Sequence, residues 1–203
     1  MDFNVLMNKL ANEKRYAKDN YVPIIRPGSA QFLYNFIKEN NIKSVLEIGT
    51  AIGFSGSIMM SAGVQSLTTI DINDGYLEIA SGVFERLGFG ERVKIIHGDA
   101  KDVLKNLVAE GLSFEMIFLD GAKGQYIRYL PNLIKLIGND GVIFADNIFL
   151  GGLVESKEKI PAKKRAMVNN LRLYNQRVQE NDFETKIIRL EDGIAISKYK
   201  GEL

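Results

Sequence analysis

Cysteine is absent from the 203 residues, and histidine occurs once. The first absence excludes disulfides, thiolate nucleophiles and cysteine-based zinc sites, and it suits a reducing cytoplasm. No apolar run approaches the roughly 20 residues that a helix needs to cross a bilayer. Charge of one sign is lacking too. Lys and Arg number 26 against 25 Asp and Glu, a formal net charge of +1, so bulk charge directs the chain toward neither nucleic acid nor membrane. The first twenty residues carry Asp2, Lys9, Glu13, Lys14, Arg15 and Lys18, which is unlike a secretory leader. Internal repeats and low-complexity tracts are missing as well. The expectation is a soluble, cytoplasmic, single domain over 1–203, large enough to bury most of its apolar surface.

What is present is alternation. Residues 2–18 read as an amphipathic helix, broken by Tyr21-Val-Pro-Ile-Ile-Arg-Pro-Gly. Ser29 is placed to cap a second helix to about Glu39, which completes an N-terminal helical segment over 1–40. Strand patterns at 44–48, 67–72, 92–96, 114–119 and 141–145 then alternate with helix patterns at 55–61, 74–87, 101–108 and 126–137. That is the βαβ order of an α/β, doubly wound, parallel sheet. A polar stretch at 151–161 leads into a helix over 162–179 and two strands, 184–190 and 193–198. These are joined by Glu191-Asp192-Gly193, a hairpin signal. The whole predicts a mostly parallel seven-stranded sheet with an antiparallel last strand.

Two apolar runs end abruptly in polar side chains, at Phe118-Leu119-Asp120-Gly121-Ala122-Lys123 and at Phe144-Ala145-Asp146-Asn147. Buried parallel strands deliver polar groups to a sheet rim in this way. If the two strands are neighbours, Asp120, Asp146 and Asn147 offer three hard oxygen ligands suited to Mg²⁺ or Ca²⁺. Lys123 stands beside them as a proton acceptor, or else as the ion-pair partner of Asp120 or Asp146. Near the first strand, Glu47-Ile-Gly49-Thr-Ala-Ile-Gly53-Phe-Ser55 forms a glycine turn at the mouth of a helix. It is neither G-x-G-x-x-G nor a P-loop. Asp71 follows about twenty residues on, where an acid commonly binds ribose hydroxyls, and His97-Gly-Asp99-Ala100 ends the third strand. A carboxylate at Glu47 needs donors or a cation: hydrogen bonds within the protein, or the ammonium of a ligand.

In this order the motifs resemble class I S-adenosylmethionine-dependent methyltransferases, specifically the metal-dependent O-methyltransferases that include the catechol and caffeoyl-CoA enzymes. The likeness runs from about Arg26 to Lys198. It implies a Rossmann-like fold, an S-adenosylmethionine cofactor and a divalent cation (Mg²⁺, or Ca²⁺ or Mn²⁺). It implies cofactor contacts at Glu47, Gly49, Ser55, Asp71, Ile72, Asp99, Ala100 and Asp120, metal ligands at Asp120, Asp146 and Asn147, and catalysis by Lys123 with Asp120. A homodimer is implied by the likeness alone. Gly121-Ala122 departs from the bulkier residues of the small-molecule enzymes and predicts a wider acceptor site.

Net charge hides an asymmetry. Residues 157–177 carry seven Lys or Arg against Glu158 alone. Arg26, Lys163, Lys164, Arg165 and Arg172 are candidate phosphate contacts, with Tyr126, Phe149 and Tyr174 as a candidate stacking surface. Asp-Gly-Ala-Lys-Gly-Gln-Tyr, Ala-Asp-Asn and Gly-Gly-Leu-Val before this helix look most like the bacterial tRNA 5-hydroxyuridine methyltransferases, which make 5-methoxyuridine at the anticodon wobble position. The expected partner is therefore tRNA, the alternative a small catechol-like or phenolic acceptor, and no membrane is involved. A dinucleotide oxidoreductase is disfavoured by the missing fingerprint. A non-catalytic RNA-binding module has no use for Asp120, Lys123, Asp146 and Asn147 together.

Overall fold

A computed structural model of the chain describes residues 1–201. It divides into two compact units, Met1–Val103 and a second beginning at Leu104. The first opens with α1 (Phe3–Lys9), α2 (Ala11–Asp19) and α3 (Pro27–Glu39). Then come β1 (Ser44–Ile48), α4 (Phe54–Ala62), β2 (Ser66–Asp71), α5 (Asp74–Arg86) and β3 (Val93–His97). Helix α6 (Ala100–Ala109) crosses the division. The second unit holds β4 (Phe114–Leu119), α7 (Tyr126–Leu136), β5 (Ile137–Asp146), α8 (Ala162–Arg177), β6 (Phe183–Ile188) and β7 (Ile194–Tyr199). The seven strands run in the order β3-β2-β1-β4-β5-β7-β6.

Burial explains the strands. In β1, Val45, Leu46, Glu47 and Ile48 are all buried, and in β4 only Glu115 is exposed. Sheets covered on both faces produce such unbroken runs. Helix α4 is buried at every position. Helix α7 buries only the stripe Tyr126, Tyr129, Leu130, Leu133 and Leu136, the 3.6-residue period of a helix with one core face. The hairpin forms as expected: β7 runs antiparallel to both β5 and β6. Among the described residues no helix is long and apolar enough to cross a membrane.

Three expectations are corrected. The N-terminal helix is two helices that meet at Leu10; Leu6 and Leu10 are both fully buried, so the apolar spacing reads through the break. Pro27, not Ser29, starts α3, with Arg26 as cap. Proline at the first helical position loses no hydrogen bond and has the right φ. Strand β5 begins at Ile137 rather than 141, because its pairing with β4 shifts register between Phe114↔Ile137 and Met116↔Val142. The excess residues include Asp140 at φ 66°, so the Asp140-Gly141 pair lies inside a bulged strand.

Candidate active site

In the first unit the parallel register aligns Ile48 with Ile70 and Asp71 with His97. The carboxyl ends of β1, β2 and β3 therefore share one rim, where open α/β sheets bind ligands. Glu47, Gly49, Asp71, Ile72 and Asp99 lie on it or on the loops that leave it, and Ser55 and Ala100 in the first turns of the helices that follow. Glu47 is fully buried. Ser55 Oγ donates to its Oε1 at 2.5 Å and Thr69 Oγ1 to its Oε2 at 2.6 Å. Thr69 stands opposite Glu47 in the ladder. Because the Thr69 proton goes to Glu47, the Thr50 hydroxyl donates to Thr69 across their 2.6 Å contact. The geometry of Glu47 is thus that of the hydrogen-bonded carboxylate weighed from the sequence.

The loop after β1 turns through Gly49 at φ 105° and Gly53 at φ 79°. A Cβ on Gly53 would sit 3.1 Å from Ala80 Cα, so glycine suits the left-handed turn there and avoids crowding α5. Asp71 Oδ2 accepts from Ala51 N at 2.8 Å and Oδ1 from Asn73 N at 3.0 Å. These bonds fix the loop against the end of β2 and leave further lone pairs, since a carboxylate accepts about four bonds. Ile72, next to it, is 67% exposed, an apolar side chain with room for a flat ring. Asp99 Oδ1 accepts from Lys101 N at 2.8 Å. A half-buried carboxylate with free lone pairs, an apolar ledge and an uncapped helix start at Gly53 fit a nucleoside with a charged tail.

The second unit builds the other candidate. Register pairs Leu119 with Ala145, so Asp120 and Asp146 leave neighbouring strands one step beyond the last pair. Lys123 Nζ donates to Asp120 Oδ1 at 3.1 Å, the ion pair named among the sequence alternatives. Asp146 is fully buried. Its Oδ1 accepts from Asn147 N at 2.9 Å, and its Oδ2 is buried without a hydrogen-bond partner. Burial, then the nearby Asp120 charge, pushes the Asp146 carboxyl up to about 7 against the pull of the Asn147 N–H. Burial likewise raises Asp120, opposed by Lys123. Two crowded carboxylates with an unmet oxygen, followed by Asn147 at φ 57°, fit a hard divalent cation. Among the described residues no three His, Cys, Asp or Glu side chains form a metal group; the third candidate from the sequence, Asn147, is an amide.

Several residues have work that the sequence did not reveal. Tyr126 is fully buried, and its hydroxyl donates to Leu119 O at 2.9 Å and approaches Asp146 O at 3.4 Å. Burial and the Asp120 and Asp146 charges keep its proton in place well above the usual phenol range. Tyr174 is also fully buried, edge-on to Tyr126 at 5.4 Å. Neither ring is available to a base, so the stacking surface is corrected: of the three aromatics only Phe149 is partly open, and Arg189 lies over it at 4.9 Å. Arg172 is corrected as well. Its guanidinium holds the loop carbonyls of Val154 at 2.8 Å, Leu153 at 3.3 Å and Ser156 at 2.9 Å. Arg177 chelates Asp182 at 2.7 and 2.6 Å. Lys163, Lys164, Arg165 and Arg26 are exposed. Helix α8 is bolted to both ends of the acidic corner: Asn170 Nδ2 donates to Gly124 O at 2.8 Å and Asn175 Nδ2 to Ile148 O at 3.0 Å.

The O-methyltransferase family model matches residues 3–200. A Mycobacterium leprae protein that bears an O-methyltransferase name is 30% identical over 191 residues, covering 91% of this chain and 82% of its own. Caffeoyl-CoA O-methyltransferase 1 of Nicotiana tabacum is 32% identical over 139 residues, 66% of this chain and 58% of that protein. Among solved structures, a Staphylococcus aureus protein provisionally named a caffeoyl-CoA O-methyltransferase superposes with a TM-score of 0.83 at 28% identity, covering 98% of this chain and 100% of that one. The Bacillus cereus O-methyltransferase in complex with SAH shares the fold at a TM-score of 0.84 and 21% identity, over 95% and 91% of the two chains. Sheet order, strand-end acids and a match along almost the whole sequence agree, and the chain belongs to the O-methyltransferase family.

Proposed function

We propose that this protein transfers the methyl group of S-adenosylmethionine to a hydroxyl oxygen beside a divalent cation. Its acceptor on this reading is 5-hydroxyuridine in the tRNA anticodon, giving 5-methoxyuridine. The observation that carries the reaction is the partnerless, buried Oδ2 of Asp146 beside Asp120 and Lys123. Asp120, Asp146 and Asn147 would hold the cation, which when bound supplies positive charge that acidifies a coordinated hydroxyl. Lys123 Nζ, once it has given up its own proton and stands as the free amine, takes the acceptor proton, and its contact with Asp120 holds it beside the corner. Asp71 holds the ribose hydroxyls and Ile72, Asp99 and Ala100 border the adenine. Holding methyl donor and acceptor in reacting geometry contributes a large share of the acceleration in reactions of this kind.

The basic end of α8 supports tRNA as acceptor. Lys163, Lys164 and Arg165 stand on the helix that Asn170 and Asn175 fasten to the acidic corner, and phosphate contacts of this kind position a nucleic acid rather than read it. 5-Hydroxyuridine presents O4 beside its 5-hydroxyl, a vicinal pair like that of a catechol. A cytoplasmic homodimer completes the reading. The second reading keeps the chemistry and takes a small phenolic acceptor; the caffeoyl-CoA name of the tobacco relative favours it. Labelled S-adenosylmethionine offered with undermodified tRNA and, separately, with catechols tests the pair. Label at the wobble uridine is the expected result, and label in catechols alone would transfer the proposal to the second reading.

A further inference from the structure

The β4–β5 ladder makes its last pair at Leu119 and Ala145. One residue beyond that pair the two segments carry Asp120 and Asp146. The Tyr126 hydroxyl bridges the two segments there: it donates to Leu119 O at 2.9 Å and lies 3.4 Å from Asp146 O. Its ring cannot drift. Tyr126 is the first residue of α7, fully buried, with Tyr174 edge-on at 5.4 Å. The carboxylates themselves are each fixed on their own strand: Asp146 by the Asn147 N–H and Asp120 by Lys123.

We infer that Tyr126 is a positioning residue, a staple that sets the spacing of the Asp120 and Asp146 carboxylates and so tunes the corner for a small cation. The inference rests on the metal reading proposed above. Mg²⁺ demands near-ideal octahedral geometry at about 2.0–2.1 Å, whereas Ca²⁺ accepts longer and more variable bonds. A staple that fixes spacing therefore favours Mg²⁺ more than Ca²⁺. A tyrosine that only filled core volume would affect both ions alike. Groups that orient metal ligands from outside typically change affinity about 10–100-fold when removed, and a staple acting through two carbonyls belongs at the low end of that range.

Calorimetric titration of Mg²⁺ and Ca²⁺ into the ligand-free protein tests this without any turnover. In Tyr126→Phe the Mg²⁺ affinity is expected to fall about tenfold and the Ca²⁺ affinity less than about threefold. Tyr174→Phe is the control, since that hydroxyl is equally buried and has no partner; its Mg²⁺/Ca²⁺ ratio stays that of the wild type. Binding of S-adenosylhomocysteine, measured in the same preparations, is unchanged in a folded Tyr126→Phe protein. An unchanged ratio in Tyr126→Phe overturns the inference while leaving the metal reading intact. A wild type that binds neither ion overturns the metal reading itself, and the inference with it. Should Tyr126→Phe not fold, Tyr126→His, which keeps an N–H donor, must retain more of the wild-type ratio than Tyr126→Leu, and equality of these two also overturns it.

Discussion

Glu47 and Asp146 are the same kind of group in the same kind of place. Each is a fully buried carboxylate at the carboxyl end of a parallel strand, Glu47 in the first unit and Asp146 in the second. They differ in how their oxygens are met. Glu47 receives Ser55 and Thr69, with Thr50 backing Thr69, so its burial is compensated within the protein. Asp146 receives one backbone N–H and keeps Oδ2 bare beside a second acid. Burying an unmet carboxylate is costly, and a site that tolerates it is poised for a cation. On the proposed reading the first acid braces the scaffold and the second serves the reaction.

Substitutions should therefore exchange their effects between the two positions. Asp146→Ala is expected to lower methyl transfer by roughly a thousandfold or more, since a lost metal ion removes several kcal/mol of transition-state stabilisation. Its melting temperature should stay near that of the wild type, because the change relieves repulsion with Asp120. Lys123→Ala should reduce kcat by about a hundredfold, the scale of a lost general base; stopped-time assays with labelled cofactor measure it, and an unchanged kcat would leave Lys123 only its ion pair. Glu47→Ala reverses the pattern. It strands the buried hydroxyls of Ser55 and Thr69 and is expected to cost about 2–4 kcal/mol in denaturant unfolding. An Asp146→Ala protein less stable than Glu47→Ala would break the comparison. The smallest effect belongs outside both acids: reversing Lys163, Lys164 and Arg165 to Glu should weaken tRNA methylation roughly tenfold and flatten its salt dependence, with activity on any small acceptor unchanged.

Strand ends were the legible part of the sequence. The boundaries of β1 and β4 coincide with the apolar runs 44–48 and 114–119, because a strand covered on both faces leaves an uninterrupted signature. The acids that follow were readable for the same reason: a polar residue after such a run has nowhere to go but the rim. What the sequence hid depends on contacts between distant residues. Arg172 looked like one more exposed cation, yet it serves carbonyls 16–19 residues earlier. Tyr126 and Tyr174 looked like base platforms. The spacing of Tyr126 with Tyr129, Leu130 and Leu133 marks a core stripe, and helical periodicity would have placed the ring inside. Thr69 carried a signal too, a polar residue opposite Glu47 once the β1–β2 register is drawn.

On the proposed reading the acidic corner works only with a divalent cation. Transfer of label from S-adenosylmethionine to undermodified tRNA, measured first in EDTA and then after Mg²⁺ is restored, tests it most directly. The account predicts no transfer in chelator, recovery on adding Mg²⁺ to the wild type, and no recovery in Asp146→Ala. Full transfer by the wild type in EDTA would contradict it.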